Sequence, residues 1–379
     1  MLEYVKGVSA DKADIVDFGN YVFSQAHRPH NFKALLPKAY ADDRDTTACH
    51  YLAKVDGRIR AMVAALPMKQ TIAGQELSFG LVGTVSVHPY ARGEGHMKRL
   101  VRDMIEDQRA QGVDILSLGG QRQRYNHFGF ELAGQQILFS FSEASIRHGA
   151  REVDASGVSF DEIVREDDPL LDQAFDLYQR QTVTGARPRE NFLHIMHSWQ
   201  GSFYAVRFDG AFGGTLYTAG SDSRPAEILL LDEERLPAVI KAWMTQRRLT
   251  SAETAVPPHE VRRIQLLDPL AESRSIHHTE MIHVLCWPRV LNVLLRLKAL
   301  YMPLEDGELR MRVDGQTFLI RVCGGNAEVL EDGGEPEVTL DHIQALRAFF
   351  SLTSLCSAPD PRLRNWAPLP FYLSPADTF

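Results

Sequence analysis

Residues 85–100, Val-Ser-Val-His-Pro-Tyr-Ala-Arg-Gly-Glu-Gly-His-Met-Lys-Arg-Leu, constrain this 379-residue chain more than any other stretch. A β-branched run stops at Pro89, the turn Arg92-Gly93-Glu94-Gly95 follows, and Met97, Leu100, Val101, Met104 and Ile105 then recur at helical spacing until Gly112. Glycines let the backbone curl so that successive amides face one point, and a helix start adds unpaired N–H groups and its positive dipole end. Such a strand–turn–helix unit holds pyrophosphate with few charged side chains. A bare glycine loop would be weak evidence; a strand, a proline stop, the Arg-Gly-x-Gly turn and an amphipathic helix together are far more specific.

The flanking residues predict an antiparallel meander. Asp56-Gly57 and Ala73-Gly74-Gln75 read as hairpin turns, residues 113–118 as a buried strand, and residues 130–142 as a last hairpin around Gly134. This predicts an α+β domain over 1–150. The polar, acidic residues 151–168 read as a linker. From about Pro169 the same order returns, with a helix, a hairpin at Asp209-Gly210, a strand and the helix 234–246, giving a second domain over 151–280. Its strand-to-helix junction (226–240) carries no glycine, so no second cradle is expected. A third region over 281–379 opens on an apolar helix, continues through strands and another helix, and closes on the Pro-rich residues 367–379.

Composition sets limits on partners. Residues 1–150 carry 18 basic and 16 acidic side chains, residues 151–280 carry 14 and 21, and residues 281–379 carry 9 and 12. No region has the basic excess of a nucleic-acid binder, whereas the acidic remainder suits a cationic substrate. No apolar core follows the N-terminus and no run of 18 apolar residues occurs, so a secretory signal, a membrane partner and a membrane span are not expected, and the expected location is cytoplasmic. Cys49, Cys286, Cys323 and Cys356 stand far apart and read as reduced, mostly buried thiols. His277, His278 and His283 lack the carboxylate or Cys spacing of a ligand set, so no metal is expected. His88, His96 and His127 read as loop or cap residues rather than general bases, and residues 290–300 as core.

The Arg92-Gly93-Glu94-Gly95-His96-Met97 stretch resembles the Arg/Gln-x-x-Gly-x-Gly/Ala signature of the GCN5-related N-acetyltransferase (GNAT) superfamily. Met97 replaces the last small residue, as is frequent in the narrower Eis-like (enhanced intracellular survival) acetyltransferases. Tyr125-Asn126-His127-Phe128-Gly129-Phe130 is similar to a second segment of that family, and Trp287-Pro-Arg-Val and the aromatic terminus agree with it. The resemblance implies two tandem GNAT-like domains, the second degenerate, and a C-terminal sterol carrier protein-like α/β domain. It also implies acetyl-CoA as cosubstrate and a homo-oligomer, a hexamer of two trimers.

The family mechanism, carried onto this chain, assigns acetyl-CoA to Val85, Val87, Arg92, Gly93, Glu94, Gly95, His96 and Met97. Tyr125 becomes the acid that protonates the leaving thiolate, its reference pKa of about 10 suiting a group of similar basicity. The base is the carboxylate of Phe379, delivered by a tail whose Pro368, Pro370 and Pro375 limit its freedom and whose Phe371, Tyr372 and Leu373 anchor it. Asp377 is expected to add negative charge where a cationic amine enters. The acceptor would be a small-molecule or lysine amine, aminoglycoside- or polyamine-like. The alternative from a different class is an acyl-CoA sensor or lipid-binding protein that uses the C-terminal domain. A placed acid such as Tyr125 favours the enzyme.

Overall fold

The computed structural model describes residues 1–26 and 28–379. Five strands begin the first sheet: β1 (Leu2–Lys6), β2 (His50–Val55), β3 (Arg58–Ile72), β4 (Gln75–Val87) and β5 (Ile115–Leu118). Asp56 and Gly57 (φ 50° and 75°), and likewise Ala73 and Gly74 (φ 47° and 79°), are left-handed, which matches the twist of a two-residue hairpin. The β2–β3 and β3–β4 pairs are antiparallel as the sequence predicts. β4 and β5 are parallel, joined by the helix His96–Ala110, whose buried Leu100, Val101 and Met104 lie on the sheet.

Beyond β5 the order departs from expectation. The strand Glu131–Ala133 and the strand Gln136–Ser142 do not form a hairpin. The first pairs with Glu280–Val284, which itself lies against β5, and so the late strand sits between two early ones. Gln136–Ser142 runs out to pair with Ser251–Val256 and Ser273–His277. Gly134 is left-handed (φ 76°), but the tail backbone at Phe371 lies 2.4 Å from where a Cβ would stand, so the glycine serves close packing as well as the bend. The two halves have therefore exchanged strands. The expected linker is also partly structured, because Val158–Glu162 pairs with Ser202–Phe208 and opens a four-stranded sheet that continues through Ala211–Thr218 to Pro225–Leu230.

The C-terminal residues form a third layer. The strands Asn326–Glu331, Gln316–Cys323, Gly307–Val313 and Val338–Leu340 lie in that order, with the helix Trp287–Ala299 packed on the first. Its buried Trp287, Val290, Leu291 and Leu294 share one apolar cluster with Phe318, Phe349, Phe350 and Trp366, and that cluster runs on into Leu77 and Phe79 of β4 and Ile15 of the helix Lys12–Ala26. The C-terminal unit is thus fused to the face of the first sheet opposite the helix His96–Ala110. All four cysteines are free thiols. Cys49 and Cys286 are half-buried, but Cys323 and Cys356 are exposed, which corrects the expectation of mostly buried thiols. Among the described residues no helix is long and apolar enough to cross a membrane, and no group of His, Cys, Asp and Glu has the arrangement of a metal site.

Candidate active site

The first sheet opens at one place. The β3–β4 register steps from Met62↔Ser86 to Ala64↔Gly83, so β4 carries one extra residue there. Thr84, at φ 46°, takes up this bulge, an uncommon conformation for a β-branched residue. On the other edge, the parallel pairing of β4 with β5 covers Phe79–Val82 and ends at Val82↔Leu118. From Gly83 to Val87, β4 has no strand on the β5 side. Its backbone groups along that edge are left to a ligand, and Val85 and Val87 sit half-buried in the opening, against the cluster under the helix His96–Ala110.

The glycine turn stands at the mouth of this opening. Gly93 (φ 89°) and Gly95 (φ 84°) are left-handed, and nothing lies within 4 Å of where a Cβ would stand on either. Gly95 caps the helix without a side-chain bond, so the first-turn amides are free for an anion, with exposed Arg92 beside them. Glu94 and His96 act differently from Arg92. The buried His96 ring bonds Tyr4 Oη at 2.9 Å through Nδ1 and the exposed Glu94 Oε2 at 3.0 Å through Nε2, so these two side chains brace the turn. Met97 is half-buried in the cluster below. A diphosphate fits this cradle: open glycines, uncapped amides and a cation.

Tyr125 ends the short helix Arg122–Tyr125, just past β5. Its ring packs edge-on to Phe130 and lies 3.2 Å from the Cβ position of Gly120. Burial raises its pKa above 10, with Arg124 opposing in part, so the hydroxyl keeps its proton at neutral pH and can give it up only to a strong base.

The C-terminal tail crosses the opposite face of the sheet and ends at the bulge. The Phe379 ring lies 2.4 Å from where a Cβ of Gly83 would stand, so only glycine admits it there, and it is 6.2 Å from the Tyr40 ring. Tyr40 Oη in turn reaches Thr84 Oγ1 (3.2 Å) and His50 Nε2 (3.0 Å), and burial lowers the His50 pKa to about 4, so this imidazole is neutral. Two basic side chains fasten the tail. Buried Lys38 donates to the carbonyls of Ala376 (2.9 Å) and Thr378. Fully buried Arg187 grips Asp377 (2.7 and 3.1 Å) and Glu227 (both contacts 2.8 Å) in forked pairs, over the face of Tyr178. Ser374 Oγ adds a bond to Glu227 at 2.8 Å.

Asp377 is therefore buried and paired with Arg187, and the expectation that its charge faces an incoming amine is corrected. The structure brings Val85, Val87 and Phe379 to one opening, sets the Arg92–Met97 turn at its edge and places Tyr125 past its far strand. Sequence reasoning missed Lys38, Tyr40, Thr84, Arg187 and Glu227. Each acts through a partner more than 40 residues away in the chain or, for Thr84, through a bulge with no local composition signal.

Residues 4–133 match the family model described as an acetyltransferase (GNAT) domain. Among solved structures, a GCN5-related N-acetyltransferase from Kribbella flavida superposes with a TM-score of 0.69 at 16% identity over 100% of both chains. One from Anabaena variabilis ATCC 29413 gives the same values, and Eis1 from Mycobacterium abscessus gives 0.68 at 13% identity, again over 100% of both chains. At such identities the likeness establishes a shared fold along the whole chain, a mixed α+β architecture with several sheets. No curated protein matches the chain by sequence.

Proposed function

We propose that this chain, an acetyltransferase whose residues 4–133 form a GNAT domain, N-acetylates a cationic amine with the carboxylate of Phe379 as base and Tyr125 as acid. The observation that carries this reading is the Phe379 ring seated on Gly83, at the point where β4 bulges and parts from β5.

Acetyl-CoA, the cosubstrate of GNAT acetyltransferases, supplies an activated thioester. The turn Arg92–Met97 and the helix start would hold its pyrophosphate, and the free edge of β4 around Val85 and Val87 would polarise its carbonyl, where fixed N–H dipoles act strongly because water is excluded. The Phe379 carboxylate, with a reference pKa of about 3.5, is ionised at neutral pH and takes the proton of the attacking amine, directly or through water. Tyr125 donates the balancing proton to the departing sulfur. Lys38 and Arg187 fix the last residues so that the carboxylate is pre-positioned rather than recruited at each turnover. We assign residues 1–150 to this chemistry, residues 151–280 to a degenerate copy and residues 281–379 to a sterol carrier protein-like domain, noting that strands 136–142 and 280–284 cross the first two borders.

The packed interior of the C-terminal unit favours a structural role over lipid carriage, since Trp287, Phe318, Phe349, Phe350 and Trp366 fill it. A homo-oligomer, a hexamer of two trimers, completes the proposal. Thiol release from acetyl-CoA, measured with alkylamines, polyamines, aminoglycosides and Lys-bearing peptides, tests the activity. The expected result is release that depends on an amine; release equal with and without every amine would remove the transfer function.

A further inference from the structure

The opening between β4 and β5 has a second side. Val82↔Leu118 is the last paired step, so Gly83 and Gly119 are the next residues on the two parting strands. Val82, Leu116 and Leu118 pack beneath the helix His96–Ala110, whereas Phe79 and Leu81 belong to the opposite core. Strand alternation therefore turns Gly83 and Gly119 toward the face that the tail occupies. Phe379 covers Gly83. Gly119 is covered by Glu280, the first residue of the late strand that lies beside β5, one step beyond Met281↔Leu118. The Glu280 carboxylate oxygens stand 3.4 and 3.8 Å from the Cβ position of Gly119, and the adjoining Gly120 is in contact with the Tyr125 ring.

Glu280 is half-buried, yet its carboxylate lacks what shielded acids normally have. Oε2 is sealed from solvent with no hydrogen-bond partner, and among the described residues no ion pair includes Glu280. Compare Glu131 on the neighbouring strand, held by Arg122 and Arg347. Burial alone pushes the Glu280 pKa up to about 7. An acceptor left unsatisfied beside a reaction centre points to a ligand that satisfies it. The missing partner is a donor, and a cationic one gains most.

We propose that Glu280 binds a second, non-reacting ammonium group of the acceptor, which makes this enzyme selective for diamines and polyamine-like molecules over monoamines. The proposal rests on the amine-acetyltransferase reading above. The ammonium donates to the Glu280 carboxylate, across the opening from Phe379, while the reacting amine stands at the terminal carboxylate. The region 151–280, with 21 acidic against 14 basic side chains, favours the approach of such a cation.

The test compares wild type with Glu280→Gln, which keeps shape and removes charge, using propylamine, 1,5-diaminopentane and spermidine. For the diamine and spermidine the KM should rise on the order of 10- to 100-fold in Glu280→Gln, as for a lost charge-assisted contact. The KM for propylamine and for acetyl-CoA should stay within about twofold, and kcat likewise. Unchanged polyamine KM, or an equal loss for all three amines and acetyl-CoA, overturns the assignment. Calorimetric titration with spermidine separates the two readings: tight binding lost in Glu280→Gln supports the site even if no amine is acetylated, a result that would overturn the transferase reading alone. Equal spermidine affinity in both proteins overturns the site.

Discussion

The two tandem units meet the same structural problem, a strand that must turn into a helix, and solve it with opposite chemistry. In the first, β4 passes through Gly93 and Gly95 into a helix with no side-chain cap. In the second, Pro225–Leu230 passes through Asp232, whose carboxylate accepts from the Glu234 amide, with Glu233 and Glu234 in the first turn before the helix Leu236–Gln246. Three carboxylates stand where the first unit offers bare amides, so helix-dipole stabilisation comes from within the chain and an incoming phosphate would be repelled. The strands differ as well. β4 stays paired with β5 for four residues before parting, whereas Pro225–Leu230 and Ser251–Val256 belong to separate sheets. An architecture repeated in one chain leaves helix-start amides open only where the caps are left off; the second unit contributes Arg187 and Glu227 to the tail instead.

The sharpest way to break this comparison is at the tail. Deleting Phe379, or extending the chain beyond it, should lower turnover by about 10³-fold or more, while calorimetric acetyl-CoA binding persists. Full turnover from an extended chain would transfer the base to a side chain or water. Next, Tyr125→Phe should fold, bind acetyl-CoA and lose on the order of 10²-fold in kcat, read by single-turnover kinetics.

Arg187→Met tests what the second unit contributes. It leaves Asp377 and Glu227 buried without a cation, a change that typically costs about 3–5 kcal/mol, so a large fall in Tm is expected. The kcat should fall with it, while the KM for acetyl-CoA holds. A pH scan gives a companion readout. Burial pushes the Glu227 carboxyl up, but Arg187 and Ser374 more than offset this and hold it below 4.5. Because the folded pKa is depressed, Glu227 stabilises the tail's anchorage above pH 4.5 and that contribution is lost as pH falls below it.

The cradle itself should respond least. Gly95→Ala forces a left-handed L-residue at about 1–2 kcal/mol, which should raise the KM for acetyl-CoA roughly tenfold with kcat little changed. Glu233→Gly together with Glu234→Gly should not create a second site, and calorimetry should still count one acetyl-CoA per chain. Two equivalent sites would erase the contrast between the units.

Features encoded by neighbours in sequence were readable. The Asp56-Gly57, Ala73-Gly74 and Asp209-Gly210 turns are left-handed in the structure as their residues predict, and the period of Met97–Ile105 marks the helix that ends at Ala110. The Arg92–Met97 turn is local too, with Gly93 and Gly95 left-handed between a strand and a helix as the sequence predicts. What failed was long-range. Residues 130–142 have the composition of a hairpin, but nothing in them says that each strand has a better partner 109 to 151 residues away. Residues 158–162 alternate too weakly to stand out from the acidic stretch around them. Asp377 looked like a free charge because its partner, Arg187, lies 190 residues earlier and is no different in sequence from a surface arginine. Glu280 carries no signal at all, since its meaning comes from the absence of a neighbour.

The exchanged strands have a consequence for how the protein can be made. A ribosome that has released residues 1–150 exposes β5 and residues 131–133 with the slot between them unfilled, and the strand that fills it, 280–284, emerges about 130 residues later. At ordinary elongation rates that is a delay of roughly 7–26 s, during which two raw strand edges face solvent or a chaperone. The half that carries the cradle cannot be completed, or excised, as an autonomous fragment. Its stability is borrowed from sequence not yet translated.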